Sequence, residues 1–288
     1  MGKDRLGESC VREAYEPRKY RELFSAQDVI YFRCAVGQTD LQVGVGFSCP
    51  DFRGKLPEES LLRDHVSGVV LHARRDIENY IATHPEFLTS LIPVIPRPWA
   101  PPIVRWMCAC AAQAGVGPMA AVAGAISETV GISLLSEDSL SKLWQREPDI
   151  GNPDGHRARI SEVIVENGGD VFIASSRLRR VGIYAGTSSL SGKIALEIAP
   201  GQTPCGICTS SGTVGHSRSF GRCDGAVIVA KDTALADAVA TRVANVVKSR
   251  EDIEEALDTA SKIPGIVGAV IVIGDALGAW GDIKLAPA

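Results

Sequence analysis

Hydrophobic and polar positions change their rhythm several times along this chain, and each rhythm predicts an element. Residues 28–35 and 41–47 are rich in β-branched and aromatic side chains, and Gly37 with its polar neighbours separates them; this predicts a hairpin. From Glu59 the period lengthens. Leu62, Val66, Val69, Val70, Ala73, Ile77 and Ile81 recur at helical spacing, with Arg63, Asp64, Arg74, Arg75, Asp76 and Glu78 mostly on the other side, which predicts an amphipathic helix with His65 and His72 at its surface or flank. Residues 92–102 hold five prolines and cannot be helix interior; they predict a rigid connector and a subdomain boundary. A helix over 102–113, a break at Gly115-Val116-Gly117-Pro118 and a second helix over 118–130 follow, with Pro118 suited to a first helical turn. The small residues Ala120, Ala121, Ala123, Gly124 and Ala125 predict close approach of another backbone; a helix N-terminus facing a phosphate is the weaker alternative.

The second half turns β-like. Runs at 160–165 and 171–175 flank Glu166-Asn167-Gly168-Gly169-Asp170, and Asn-Gly between apolar runs predicts a hairpin because both positions accept positive φ. Residues 181–185, 194–198 and 266–273 are further strands, and short runs containing Leu277, Trp280, Ile283 and Leu285 end the chain. Ser249-Arg250-Glu251-Asp252 has capping-box spacing, ahead of helical positions Ile253, Ala256, Leu257, Ala260 and Ile263. Residues 1–25 are charged and aperiodic, a peripheral arm. Residues 26–288 are expected to form a single domain.

Composition narrows the function classes. The 288 residues are 45% apolar and 22% charged, an ordinary globular balance. Net charge is −4. Residues 1–150 carry 16 basic and 19 acidic residues and residues 151–288 carry 14 and 15, so neither half has the basic footprint of a nucleic-acid or anionic-membrane binder. Eight cysteines in a large chain without an apolar leader fit a reduced, cytoplasmic setting better than a disulfide framework. The 21 uncharged residues 106–126 are long enough to cross a bilayer. They are Ala- and Gly-rich and broken by Gly115, Gly117 and Pro118, so a buried helix pair is expected instead.

The chemistry concentrates in residues 203–245, where a loop dense in Gly, Cys and hydroxyls leads through an apolar segment into a helix over 233–247. Asp237, Thr241 and Asn245 stand at i, i+4 and i+8 on one face of that helix. On spacing alone this stripe suits a solvated face and a semi-buried polar site equally. The loop Cys208-Thr209-Ser210-Ser211-Gly212-Thr213 has the composition of a phosphate cradle but lacks the Gly-Lys-Ser/Thr of a Walker loop, and on composition alone an ordinary polar loop is the leading reading. His216 could donate to phosphate or act as a general acid, although a lone loop histidine is more often neither. Asp170 and Asp224 could add carboxylates, with turn and strand-end roles as the alternative; for Asp224 that alternative leads. Cys205-Gly206-Ile207-Cys208 is a lone CxxC and a weak thiol or zinc signal.

Taken in order, Glu166-Asn167-Gly168-Gly169-Asp170, the run Cys208 to His216 and Ala236-Asp237-Ala238-Val239-Ala240-Thr241 resemble the ApbE superfamily of flavin transferases. Gly115 to Ala125 resembles an ApbE-like branch of it. The resemblance implies an α+β fold, T-fold-like, of mostly antiparallel sheets with packed helices. It implies Mg²⁺ held by Asp237 and Thr241, with a backbone carbonyl near 117–120 as a further ligand. It implies FAD or FMN near Asn167, Gly168, Gly169, Asp170, Thr209, Ser210, Ser211, Gly212 and Thr213, and His216 as the catalytic candidate. ApbE proteins cleave the FAD diphosphate and transfer FMN to an acceptor protein, or hydrolyse FAD to FMN and AMP. The expected partners are therefore a phosphorylated small molecule and an acceptor protein, with homo-oligomerisation open. Two departures stand out. Residues 119–124 lack the lysine of the family's Gly-Gly-x-x-Lys-Gly pattern, and no Asp-Pro-x-Thr-Gly follows His216. They leave room for a binding module that has lost transferase activity.

Overall fold

A computed structural model describes residues 20–21, 26, 28–48, 58–136, 159–212 and 221–288. Eight strands form the central sheet, in the order β1 (Val29–Val36), β2 (Thr39–Ser48), β3 (Arg159–Asn167), β4 (Asp170–Ser175), β7 (Cys205–Ser210), β8 (Gly225–Ala230), β9 (Ile266–Ile273) and β10 (Ala276–Gly281). A second sheet of three strands pairs β11 (Lys284–Pro287) with β6 (Ile194–Ile198) and β6 with β5 (Arg179–Gly182). Every pairing between them is antiparallel. The fold is α+β with mostly antiparallel sheets.

The helices are α1 (Glu59–Thr83), α2 (Glu86–Thr89), α3 (Pro102–Ala114), α4 (Val122–Leu135), α5 (Thr233–Val246) and α6 (Ile253–Ser261). A 3-10 turn, Pro118–Ala121, leads into α4. Side chains on a strand alternate between faces, so the central sheet builds two cores. Val43, Val163, Val165, Phe172, Cys208 and Ile228 pack with the helices. Ile164, Val171, Ile173, Ile207, Val227 and Val270 pack against Leu196 and Ile198 of the small sheet. The result is a three-layer stack of helices, large sheet and small sheet.

The first hairpin, the long amphipathic helix and the last strong strand form where the hydrophobic pattern predicts. The uncharged stretch 106–126 is the expected helix pair: α3 ends on Gly115 at φ +70, and the chain re-enters helix through Pro118. Among the described residues one helical stretch, Pro118–Leu135, is long and apolar enough to cross a membrane; half of it is buried inside this fold, against β3, β4 and α5. Two readings need correction. The β3–β4 turn is centred on Gly168 and Gly169, at φ +72 and +105, with Asn167 paired to Asp170, so it is the two glycines that supply the positive φ. Residues 205–210 are a strand and not a loop: β7 is buried between β4 and β8 and pairs with both.

Candidate functional site

The N-terminus of α5 is held on three sides. Asp232 is its N-cap, accepting the Leu235 N–H at 2.8 Å, and its second oxygen accepts the Trp106 indole N–H at 2.8 Å. Glu128 of α4 accepts the Thr233 N–H at 2.6 Å, and burial pushes its carboxyl above the usual range. Two glycines let the neighbours close in. A Cβ on Gly206 of β7 would overlap Thr233, and a Cβ on Gly124 of α4 would overlap the Thr233 carbonyl. The small residues of 120–125 therefore serve close backbone packing, as their composition suggested.

One turn further along α5, Asp237 turns toward α4. Its Oδ2 accepts the Gly124 N–H at 2.9 Å, and the Ala123 N–H also bonds the carboxylate. The first N–H groups of a helix lack intrahelical partners and carry partial positive charge, so a carboxylate is favoured there. Burial outweighs these bonds: the Asp237 carboxyl is pushed up to about 7. The helix N-terminus thus faces a carboxylate of its own fold. Thr241 lies one turn on, partly exposed on the same face.

The glycine turn meets this point from the sheet side. Asn167 donates its amide to the Ala123 carbonyl at 3.2 Å, and the Ser127 hydroxyl, itself 3.0 Å from that carbonyl, donates to the Asp170 carbonyl at 3.1 Å. Asp170 is paired with Cys208 across β4 and β7, on the helix-covered face. Asp170 and Asp237 both act on the Cys208 thiol, whose proton is held far above the ordinary range, mainly by complete burial. The structure therefore brings Asn167, Gly168, Gly169, Asp170, Asp237 and Thr241 into one region, built from a β-turn, the start of α4 and α5.

The hydroxyl run does not converge in the same way. On β7 Thr209 and Ser210 point to opposite faces. Ser210 shares the helix side with Gly206 and Cys208, whereas the Thr209 methyl lies near Gly225 on the side of the small sheet. Ser211 donates to the Cys223 carbonyl at 3.4 Å, and the Gly212 N–H donates to the same carbonyl at 2.9 Å, so both close the chain onto its neighbour. Thr213 and His216 lie outside the described residues. Asp224 accepts the Gly274 N–H at 2.7 Å, a turn-fixing role. Cys205 faces the small sheet and Cys208 the helices, so this CxxC does not present two sulfurs to one ligand.

Sequence reasoning missed Glu166, Glu128, Asp232 and Trp106. Glu166 is 1% exposed; its carboxylate accepts the Gly169 N–H at 2.9 Å, the Tyr20 hydroxyl at 2.8 Å and the Arg21 guanidinium at 2.6 Å. It fixes the glycine turn from behind. The one legible signal was Asp232 immediately before a helical pattern, an N-cap position. Among the described residues no group of three or more His, Cys, Asp and Glu side chains could hold a metal ion. Mg²⁺ commonly takes only one or two carboxylates, with water and ligand phosphates for the rest. The oxygen donors here fit that demand. Asp237 is a carboxylate held by the Gly124 and Ala123 backbone N–H groups, Thr241 supplies a hydroxyl one turn away, and Asp170 stands across the site.

A family model described as AbpE bacteria matches residues 21–144 and 154–284. The chain belongs to this AbpE family. Relatives at this level include the UPF0280 protein of Methanothermobacter thermautotrophicus, 41% identical over 227 residues that cover 77% of this chain and 80% of that protein. The UPF0280 protein of Methanosphaerula palustris is 37% identical over 228 residues, covering 79% and 86%. Among solved structures, the apo flavinyl transferase ApbE of Pseudomonas stutzeri aligns at TM-score 0.48 and 14% identity, over 88% of this chain and 93% of that one. The flavin transferase ApbE of Vibrio cholerae aligns at TM-score 0.44 and 12% identity, over 88% and 96%.

Proposed function

We propose that this AbpE-family protein binds a flavin nucleotide, FAD or FMN, or a related phosphorylated ligand together with Mg²⁺ in a cytoplasmic setting, and that with FAD it cleaves the diphosphate. The observation that carries the reading is Asp237: a carboxylate pushed up to about 7 by burial, aimed at the start of α4, with Thr241 one turn away and Asp170 opposite. Asp237 and Thr241 would hold the ion, which when bound neutralises charge on diphosphate oxygens. Gly124 and Ala123 orient the Asp237 carboxylate through their N–H groups. Glu166 and Asn167 hold the glycine turn in place, which keeps the Gly168-Gly169 backbone open to close approach by a ligand. An acceptor hydroxyl from a protein, or water, would attack the FMN-side phosphorus of FAD; the diphosphate bond breaks, AMP leaves in both cases, and the other product is flavinylated protein or free FMN.

Incubation with FAD and Mg²⁺, followed by chromatography for FMN and AMP, tests the reading. The products are expected from the natural chain and not from Asp237→Ala. A second reading, ligand binding without turnover, is favoured by the lack of a lysine in 119–124 and by the tight packing of Gly124 on Thr233. Mg²⁺-dependent thermal stabilisation by FAD, FMN or ATP without product formation would select it. No stabilisation by any of them would remove both readings.

A further inference from the structure

The end of α2 and the segment that joins it to α3 expose large apolar side chains in a concentration found nowhere else among the described residues. Leu88 is 49% exposed, Leu91 64%, Ile92 70%, Ile95 93% and Trp99 66%. An apolar patch of this kind on a folded protein marks a contact surface. It is also a fixed surface. Ser90 sits so close to Gly117 that a Cβ there would overlap its carbonyl. The Arg97 N–H donates to the Tyr80 hydroxyl at 3.1 Å, and Trp99 packs edge-on against Tyr80 at 6.0 Å between ring centroids. Pro93, Pro96, Pro98 and Pro101 restrict the backbone between these anchors, so little entropy remains to be lost on binding.

We propose that this ridge is the interface through which two copies of the chain form a dimer. Three features select a second copy. The prolines remove backbone donors, so the segment cannot recruit a partner strand by backbone hydrogen bonding, and contact must run through side chains. From residue 87 to residue 100 the one basic side chain is Arg97, which lies 3.4 Å from the His84 ring and offers no charge pattern for an acidic or basic partner to match. At these exposures the five side chains present about 700 Å² of surface, close to the ~800 Å² per partner of a standard stable interface. A two-fold contact sets the same patch against itself, so an apolar ridge is complementary to its own copy.

The test is the solution mass of the full chain by light scattering, at micromolar concentration. Twice the 30.5 kDa chain mass is expected. The double variant Ile92→Asp, Ile95→Asp places two charges on exposed positions, so it is expected to fold normally by circular dichroism and to run as a monomer. Leu71→Asp, at a position on α1 that is 56% exposed, is expected to stay dimeric. A monomeric natural chain, or a double variant that remains dimeric, overturns the proposal. A monomer that co-sediments with phosphatidylcholine vesicles overturns it in favour of a lipid surface.

Discussion

The two faces of the central sheet differ in what they bury. The face under the small sheet is filled by aliphatic side chains such as Val171, Ile173, Ile207, Val229, Leu196 and Ile198. The helix-covered face holds the larger apolar core but breaks it repeatedly. Gly124 and Gly206 let backbones touch, Asp170 and Cys208 sit beside Asp237, and Glu128 and Asp232 cap α5. An aliphatic core contributes stability through area alone and asks little of any one residue. Buried carboxylates cost stability unless bonds or ions compensate them. The contrast separates an aliphatic face from the face that carries the candidate site.

The largest expected effect lies on the aliphatic face. Leu196→Ala removes a fully buried side chain and should cost about 3 kcal/mol in denaturant unfolding, while leaving any Mg²⁺-dependent ligand stabilisation of the folded protein intact. Loss of that response in Leu196→Ala would break the contrast. On the helix face, Gly124→Ala forces a methyl into the Thr233 carbonyl. It should cost about 2 kcal/mol and, because Asp237 leans on Gly124, also abolish the Mg²⁺ response in thermal shift.

A smaller effect is carried by pH. The Asp237 carboxyl titrates near 7 when folded, above its ordinary 3.8. Between these values the native state keeps a proton that the unfolded chain has released, so stability falls as pH rises through the window and levels off above about 7. The slope is at most ~1.4 kcal/mol per pH unit. Asp237→Asn should flatten it, unfolding at a higher temperature than the natural chain at pH 8 without divalent ions; an unchanged slope would disprove the assignment to Asp237. The smallest expected effect concerns the thiols. Burial pushes Cys205 up to about 12 and Cys208 well above its ordinary value. Both should escape alkylation in the folded protein at pH 8, as read by peptide mass spectrometry.

The elements legible in the sequence were those with a long or strong pattern. The helix starting at Glu59 and the strand at Ile266–Ile273 appear where their periodicity placed them, and α5 ends within one residue of its expected limit. Strand β7 was not legible, because Cys205 to Ser210 is short, holds Gly206 and runs straight into Ser211-Gly212-Thr213, so its hydroxyls read as part of a loop. It is a strand because β4 and β8 each offer an edge to pair with. That pairing separates Thr209 from Ser210, a division that a loop would not impose.

The sequence by itself determined the order of the elements, the apolar stripes and the polar stripe Asp237, Thr241 and Asn245, since periodicity is a local property of the chain. It left open which way that stripe faced. The tertiary structure decided this by closing Gly124 and Gly206 onto Thr233, which turns Asp237 toward the start of α4 and draws the Gly168-Gly169 turn beside it. The partners of Asp237 lie more than a hundred residues away in sequence, so no local pattern could have named them.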